Sequence, residues 1–474
     1  MGQEIESHCF TPEDYAAFDA QLQLETQLLS AWFDDGVLAD EPQRIGFELE
    51  AWLVDSHGYP AAKNAQFLAG LDDPNVVPEL SKFNVEINSE PLWLEGHCFQ
   101  RLQENLTATL AHCQTVATSL EVSLAMLGIL PTVRESDLVL GNISAMQRYY
   151  ALNQQIVKMR QHQTLEFDIR GQDHWQHSRD DFMMESATTS FQIHLQVGVA
   201  QAPKLYNLSK ILSGPMVAIS ANSPYLFGHH LWSETRIPLF EQSIDVGATA
   251  YGRRVTFGNR YVEHSLFECF QANLHNYPVM LPRLSAEPRE QLPHLRLHNG
   301  TIWRWNRPLV GFSEGGQAHL RIEHRVVPAG PTLVDSVANA AFYFGLLNGF
   351  NDLPSAAVAD FCPFQSAQHN FYQGAKMGLA AEMIWQGKRH QVSALITDVL
   401  LPKAKLGLQQ QGIADADIQQ YLGIIEGRVR KQQNGAIWQT QFVQRFGQDM
   451  QALTMAYLDK QRSDVPVHEW GVTC

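Results

Sequence analysis

A chain of 474 residues, 45% of them hydrophobic and 10% aromatic, is long enough for more than one compact region, because single cores stop growing near ~250–300 residues. Its 34 basic and 50 acidic residues leave a net charge of −16, which argues against a nucleic-acid partner, since phosphates need a basic face. No run of about 18 uncharged apolar residues points to a membrane span, and six cysteines without a C-x-x-C pair read as reduced thiols, not a disulfide framework. The acidic, polar start M-G-Q-E-I-E-S-H lacks the basic and apolar regions of a signal peptide. A cytoplasmic protein is predicted.

Thr11, Pro12 and Asp14 predict a helix start. Tyr15, Phe18, Leu22, Leu29 and Trp32 then recur at helical spacing. Residues 44–55 alternate with period two: Phe47, Leu49, Ala51 and Leu53 face one way, Glu48 and Glu50 the other. On a strand those two carboxylates stand about 7 Å apart at Cα. They repel, which raises one pKa unless a cation lies between them. Residues 79–91 repeat the design, with Phe83, Val85 and Ile87 against Asn84, Glu86 and Asn88. An amphipathic helix carrying Phe99, Leu102, Leu106, Leu110, Cys113 and Val116 suits sheet coverage. A further helix is predicted over 148–160.

Residues 188–197 alternate again, Phe191, Ile193, Leu195 and Val197 against Gln192, His194 and Gln196. Helix follows over 204–219, a strand over 301–307, and a last alternating strand with Leu320, Ile322 and His324 against Arg321, Glu323 and Arg325. A helix over 332–349 has Asp335 three residues after its cap. Beyond Pro354 the pattern turns helical, over 368–385, 392–401, 415–430 and 439–460. The predicted organisation is an N-terminal helix in 1–40, a mixed core in 41–354 and a helical region in 355–474.

Four strands thus share an apolar face and a face of carboxylate, amide and imidazole with almost no lysine. That is a donor set for hard divalent cations such as Mg²⁺, which takes oxygen ligands and is usually shared with substrate phosphates. Glu48, Glu50, Glu79, Glu86 and Glu323 are costly as an unpaired cluster, and two or three cations offset them. No P-loop is present, because Gln317 stands where the lysine is needed.

These segments resemble the glutamate–cysteine ligase family of the glutamine-synthetase-like superfamily. The family's G-x-E-x-E opening is matched by G-F-E-L-E at 46–50, and its second acidic strand by Glu79 and Glu86. The polar strand is matched by S-F-Q-I-H at 190–194, the A-N-S-P segment by 221–224 with Arg236 following, and E-x-R by Glu323 and Arg325. The resemblance covers roughly 40–350 in consistent order. It implies an α+β fold: a curved antiparallel sheet with a polar metal-binding face, covered by helices. It implies ATP as co-substrate, Mg²⁺, and amide formation through an acyl phosphate, with glutamate as acyl donor and cysteine as the default amine.

By the same resemblance Glu48, Glu50, Glu79, Glu86, His194 and Glu323 are metal ligands. Gln192 and Arg325 meet the nucleotide, Arg325 neutralises the transferred phosphoryl group, and Arg236 holds a substrate carboxylate or phosphate. Another amine acceptor, or a non-catalytic metal–nucleotide-binding relative, are the alternatives. Trp303, Trp305 and the 314–317 segment depart from the family pattern. Elsewhere His294 and His298 read as surface histidines, Cys98 and Cys113 as buried thiols, and Trp303 and Trp305 as a packed strand edge. Residues 222–224 shape a turn near the substrate or cap the preceding helix.

Overall fold

The computed structural model describes residues 9–40, 42–247 and 253–473. The polar N-terminal stretch 1–8 therefore lies outside the described residues. Helix α1 (Pro12–Asp35) starts at a capping box in which Asp14 N–H donates to the Thr11 hydroxyl, and ends at Gly36, whose φ of 69° suits glycine.

The site is built on an eight-stranded antiparallel sheet. Its strands are β1 (Arg44–Val54), β2 (Val76–Pro78), β3 (Asn84–Asn88), β4 (Leu92–Trp93), β5 (Ser123–Ala125), β6 (Phe191–Val197), β7 (Asn306–Phe312) and β8 (Ala318–His324). The order is β7-β8-β6-β1-β3-β2, with β4 and β5 pairing to opposite ends of β1. Register aligns the polar residues. Glu48 lies opposite Gln192 on one side and Asn88 on the other, and Glu50 opposite Glu86. His194 lies opposite Glu323, which lies opposite Arg307. Residues opposite each other in an antiparallel pair share a face, so the period-two pattern of four strands becomes one polar surface on a curled half-barrel.

The other face is apolar and covered by helices. The helices that follow α1 include, in chain order, α2 (Cys98–Ser119), α3 (Gln147–Met159), α4 (Ala202–Ser220), α5 (Phe267–Asn276), α6 (Pro293–Gly300), α7 (Leu333–Gly349), α8 (Asp415–Lys431), α9 (Gly435–Phe446) and α10 (Met450–Arg462). α7 backs the sheet: Phe344 meets Phe47 at 6.4 Å between ring centroids, and Tyr343 stacks on His324 at 4.1 Å. α4 lies beside it, with Tyr206 donating to the Asn306 carbonyl. α3, α5 and α6 cover the polar face instead.

The C-terminal region is helical with one short hairpin. The expected helix over 368–385 stops at Met377, because Gly378 takes φ 54°, and Glu382–Trp385 pairs with Lys388–Gln391 as strands. The stretch 439–460 is two helices, broken at Gly447 (φ 90°). The strand expected at 301–307 begins only at Asn306, since Thr301 still caps α6. One core cluster joins residues on both sides of Pro354. Cys98 and Cys113 are buried free thiols that burial pushes up to about 12, hence inert. Among the described residues no helix is long and apolar enough to cross a membrane.

Candidate active site

Two acidic donor sets lie side by side on the polar face. The first is Glu50, Glu79 and Glu86, whose ligand atoms all come within 4.8 Å of one another. Glu50 is clamped from β6: Ser190 N–H donates at 2.6 Å, the Ser190 hydroxyl at 3.0 Å and Gln192 Nε2 at 2.8 Å. Burial, then Glu79, pushes the Glu50 carboxyl up to about 7 against the pull of Arg325 and Ser190. Burial, then Glu48 and Glu79, raises Glu86 well above the carboxylate range. Like charges forced together in low dielectric give this pattern, and a divalent cation reverses it.

The second set is Glu48, His194 and Glu323. His194 Nε2 stands 3.1 Å from Glu48 Oε1 and 3.9 Å from Glu323 Oε1. Burial pushes the Glu48 carboxyl up, but the His194 imidazole and Arg325 outweigh it and hold it below the ordinary range. Glu48 Oε2, Gln192 Oε1 and both ring nitrogens of His194 are buried without a hydrogen-bond partner. Unsatisfied acceptors in a native-like interior call for an explanation. A metal ion fits here, because the donors are carboxylate oxygen, amide oxygen and imidazole nitrogen, which suit Mg²⁺ or a neighbouring divalent ion.

Glu323 is not free. Arg307 grips it in a fork, Nε to Oε2 at 2.9 Å and Nη2 to Oε1 at 2.8 Å, and Arg325 adds contacts to Oε2 at 3.0 and 2.8 Å. Burial opposes ionisation, but the two guanidiniums win and hold this carboxyl far below its usual range. Two arginines on one carboxylate leave a net positive charge beside the acidic sets.

Two spaces open above this face. A cavity of about 250 Å³ lies over Glu50, Glu79 and Glu86 and is walled by Arg148, Glu185, Phe182 and Phe270 among others. A groove of about 690 Å³ lies over Glu48 and His194, bordered by Arg44, Asn88, Gln196 and the 313–317 turn. Arg321 borders both.

The structure therefore brings Glu48, Glu50, Glu79, Glu86, Gln192, His194, Glu323 and Arg325 to one face. Arg236 is the exception and a correction. Its Nε donates to Glu234 Oε1 at 2.9 Å, and its two terminal nitrogens donate to the carbonyls of Arg325 and Val326. Every nitrogen is spent inside the fold, and the residue borders neither space. It holds the backbone that carries Arg325. His294 and His298 are likewise buried, not on the surface. His294 Nδ1 meets Glu25 at 2.5 Å while Nε2 accepts from Ser285 N–H, and His298 Nε2 donates to the Asn273 carbonyl. Trp305 is fully buried and donates to Glu241 at 2.8 Å, whereas Trp303 borders the cavity. Asn222 donates to the Ala329 carbonyl and to the Tyr457 hydroxyl, tying its turn to a neighbouring loop and to α10. Arg148, Glu185, Arg307 and Arg321 are not singled out by the sequence. Arg307 and Arg321 carry a signal, the alternation of their strands; Arg148 and Glu185 carry none.

A curled antiparallel sheet whose inner face bears two acidic donor sets beside buried arginines is the architecture of an ATP-dependent carboxylate–amine ligase. A profile of glutamate–cysteine ligase family 2 (GCS2) matches residues 44–459, and the chain belongs to that family. Glutamate–cysteine ligase from Francisella tularensis, solved in complex with AMP, is similar in fold at 12% identity, with 92% of this chain and 91% of that chain covered and a TM-score of 0.57. A bifunctional glutathione synthetase from Pasteurella multocida is similar at 14% identity, over 93% of this chain and 53% of that one, with a TM-score of 0.51. No curated protein sequence matches the chain.

Proposed function

We propose that the protein joins glutamate to cysteine, forming γ-glutamylcysteine in the cytoplasm with ATP as co-substrate and at least one Mg²⁺ in each donor set. The observation that carries this reading is the pair of donor sets meeting on β1, where Glu48 serves one and Glu50 the other. The groove of about 690 Å³ suits a nucleotide, and the cavity of about 250 Å³ suits an amino acid, which is several times smaller. Held by Glu50, Glu79 and Glu86 and by Glu48, His194 and Glu323, Mg²⁺ would supply neutralisation of phosphate charge. The chain's own residues do the rest. Arg325, held by Glu323, lines the smaller cavity, where its remaining charge would meet the transferred phosphoryl group, and positioning of this kind is most of phosphoryl-transfer catalysis. Gln192 fixes Glu50 through its amide nitrogen and keeps its carbonyl oxygen for the metal or nucleotide. The cavity walls exclude water from an acyl phosphate that water destroys.

The experiment measures ADP release by purified protein with ATP, Mg²⁺, glutamate and single amines, against Glu48→Ala. Turnover with cysteine that is lost in Glu48→Ala is the expected result. Turnover with a different amine keeps the chemistry and replaces the acceptor. An absence of ADP release with every amine overturns the reading.

A further inference from the structure

The 250 Å³ cavity contains one carboxylate that belongs to neither donor set. Glu185 lies on the turn Met183–Ala187, in the wall that faces the sheet. Its backbone is pinned, since its N–H donates to the Phe182 carbonyl at 3.0 Å and its own carbonyl accepts from the Thr188 N–H at 2.8 Å and hydroxyl at 2.7 Å. Its carboxylate has no hydrogen-bond or ion-pair partner among the described residues. Desolvation, then Glu79 and Glu50 across the cavity, raise its carboxyl well above the carboxylate range against the pull of Arg325 and Arg148, a balance that an arriving cation reverses. It stands off from the three clustered oxygens of Glu50, Glu79 and Glu86, which leaves space for a ligand between the wall and the metal donors.

Glu185 is half-buried at the cavity wall, and a carboxylate without a partner in such a pocket is costly unless a cation arrives with the ligand. The acyl donor brings one. Its α-ammonium takes no part in the reaction and stays charged throughout. The amine acceptor differs, because its nitrogen must give up a proton before it can attack, so an ion-pairing carboxylate would hold it in the unreactive form. Arg148 lines the same wall, stacked 4.5 Å from the Tyr149 ring, and is of the right sign for the donor's α-carboxylate. We propose that Glu185 receives the α-ammonium of the acyl donor and thereby selects an α-amino acid over the plain dicarboxylate of equal length. The proposal rests on the ligase reading above.

The test compares glutamate with glutarate, which lacks only the ammonium group. Calorimetric titration of each into wild type and Glu185→Gln, with Mg²⁺ and a non-hydrolysable ATP analogue present, reads binding without needing turnover. Wild type is expected to bind glutamate and discriminate against glutarate. Glu185→Gln is expected to lose ~10- to 100-fold in glutamate affinity, with glutarate affinity and nucleotide affinity unchanged. In steady state the same variant raises KM for the acyl donor and leaves KM for the amine alone. Equal glutamate affinity in both proteins overturns the proposal, and so does a rise confined to the amine KM. A parallel loss for glutarate and nucleotide, or a shifted unfolding midpoint, assigns Glu185 a structural role and also overturns it. ADP release by wild type decides the ligase reading separately.

Discussion

Two E-x-R pairs show how differently the same local pattern is used. Glu234 and Arg236 form a closed buried pair whose spare donors reach only backbone carbonyls. Glu323 and Arg325 are joined by Arg307, so one positive charge is left over at the site. Arg236→Met is therefore expected to cost about 3–5 kcal/mol, because it strands Glu234 in the interior, and urea unfolding reads this directly. Arg325→Lys is expected to keep the unfolding midpoint, since Arg307 still compensates Glu323, while ADP release falls ~10²-fold or more. A pH effect follows from Glu241, which accepts from Trp305 Nε1 and the Tyr372 hydroxyl and which burial pushes from 4.5 up to about 7. Between those values the unfolded chain has lost the proton and the folded chain has kept it, so stability falls as pH rises through the window and the penalty is complete above about 7. Glu241→Gln keeps the acceptor oxygen and removes the titration. Its midpoint is expected to match wild type near pH 4.5 and to exceed it at pH 8, by roughly 1.4 kcal/mol for every tenfold rise in proton affinity that burial imposes on the carboxyl. His298, which burial lowers to about 4, acts in the opposite direction and is destabilising as pH falls below 6.5.

At the level of elements, the close approaches are as informative as the strands. A Cβ on Gly435, at the start of α9, would collide with Asn222 Oδ1. Asn222 cannot swing away without losing the Ala329 carbonyl and Tyr457. Gly435→Ala is expected to cost about 1–3 kcal/mol, seen as a lower thermal midpoint with the metal sets intact. The sheet itself is legible in the sequence because burial on one face imposes period two, and a polar residue at every second position of β1, β3, β6 and β8 then has one place to go. Glu48, Glu50, Glu86, Gln192, His194, Glu323 and Arg325 are found that way. Residues that reach the site from the covering helices and turns are not, because their neighbours in space are far off in sequence. Glu185 lies opposite Glu50 and Glu79, across more than a hundred residues of chain. Arg236 misleads although its neighbour carries the clue: Glu234, two residues before it, already claims its charge. His294 reads as solvent-facing because Glu25, its partner on α1, precedes it by 269 residues.

Across the whole molecule, the last helices are part of the frame around the site. Arg428 on α8 donates to Asp335 at 2.7 Å and to Asn339 at 2.6 Å on α7, the helix that backs the sheet. On α10, Tyr457 donates to the Met126 carbonyl at 2.8 Å, and Gln461 bridges Met126 N–H and the Leu124 carbonyl at 2.7 and 2.9 Å. These side chains serve the outer edge of β5 as a partner strand would. A chain ending at Pro354 is expected to lack a cooperative unfolding transition and to aggregate, because α4, α7 and β5 lose their cover; circular dichroism and sedimentation of the truncated protein check it. The Met126–Tyr457 bond also sets a timetable, since its ends are 331 residues apart. At synthesis rates of ~5–20 residues per second, the apolar run that follows β5 waits on the order of tens of seconds on the ribosome for its partner helix. Non-local closure of this kind is slow and leaves sticky surface uncovered, so a newborn chain is expected to expose apolar surface over the interval in which its sheet is already translated but not yet sealed.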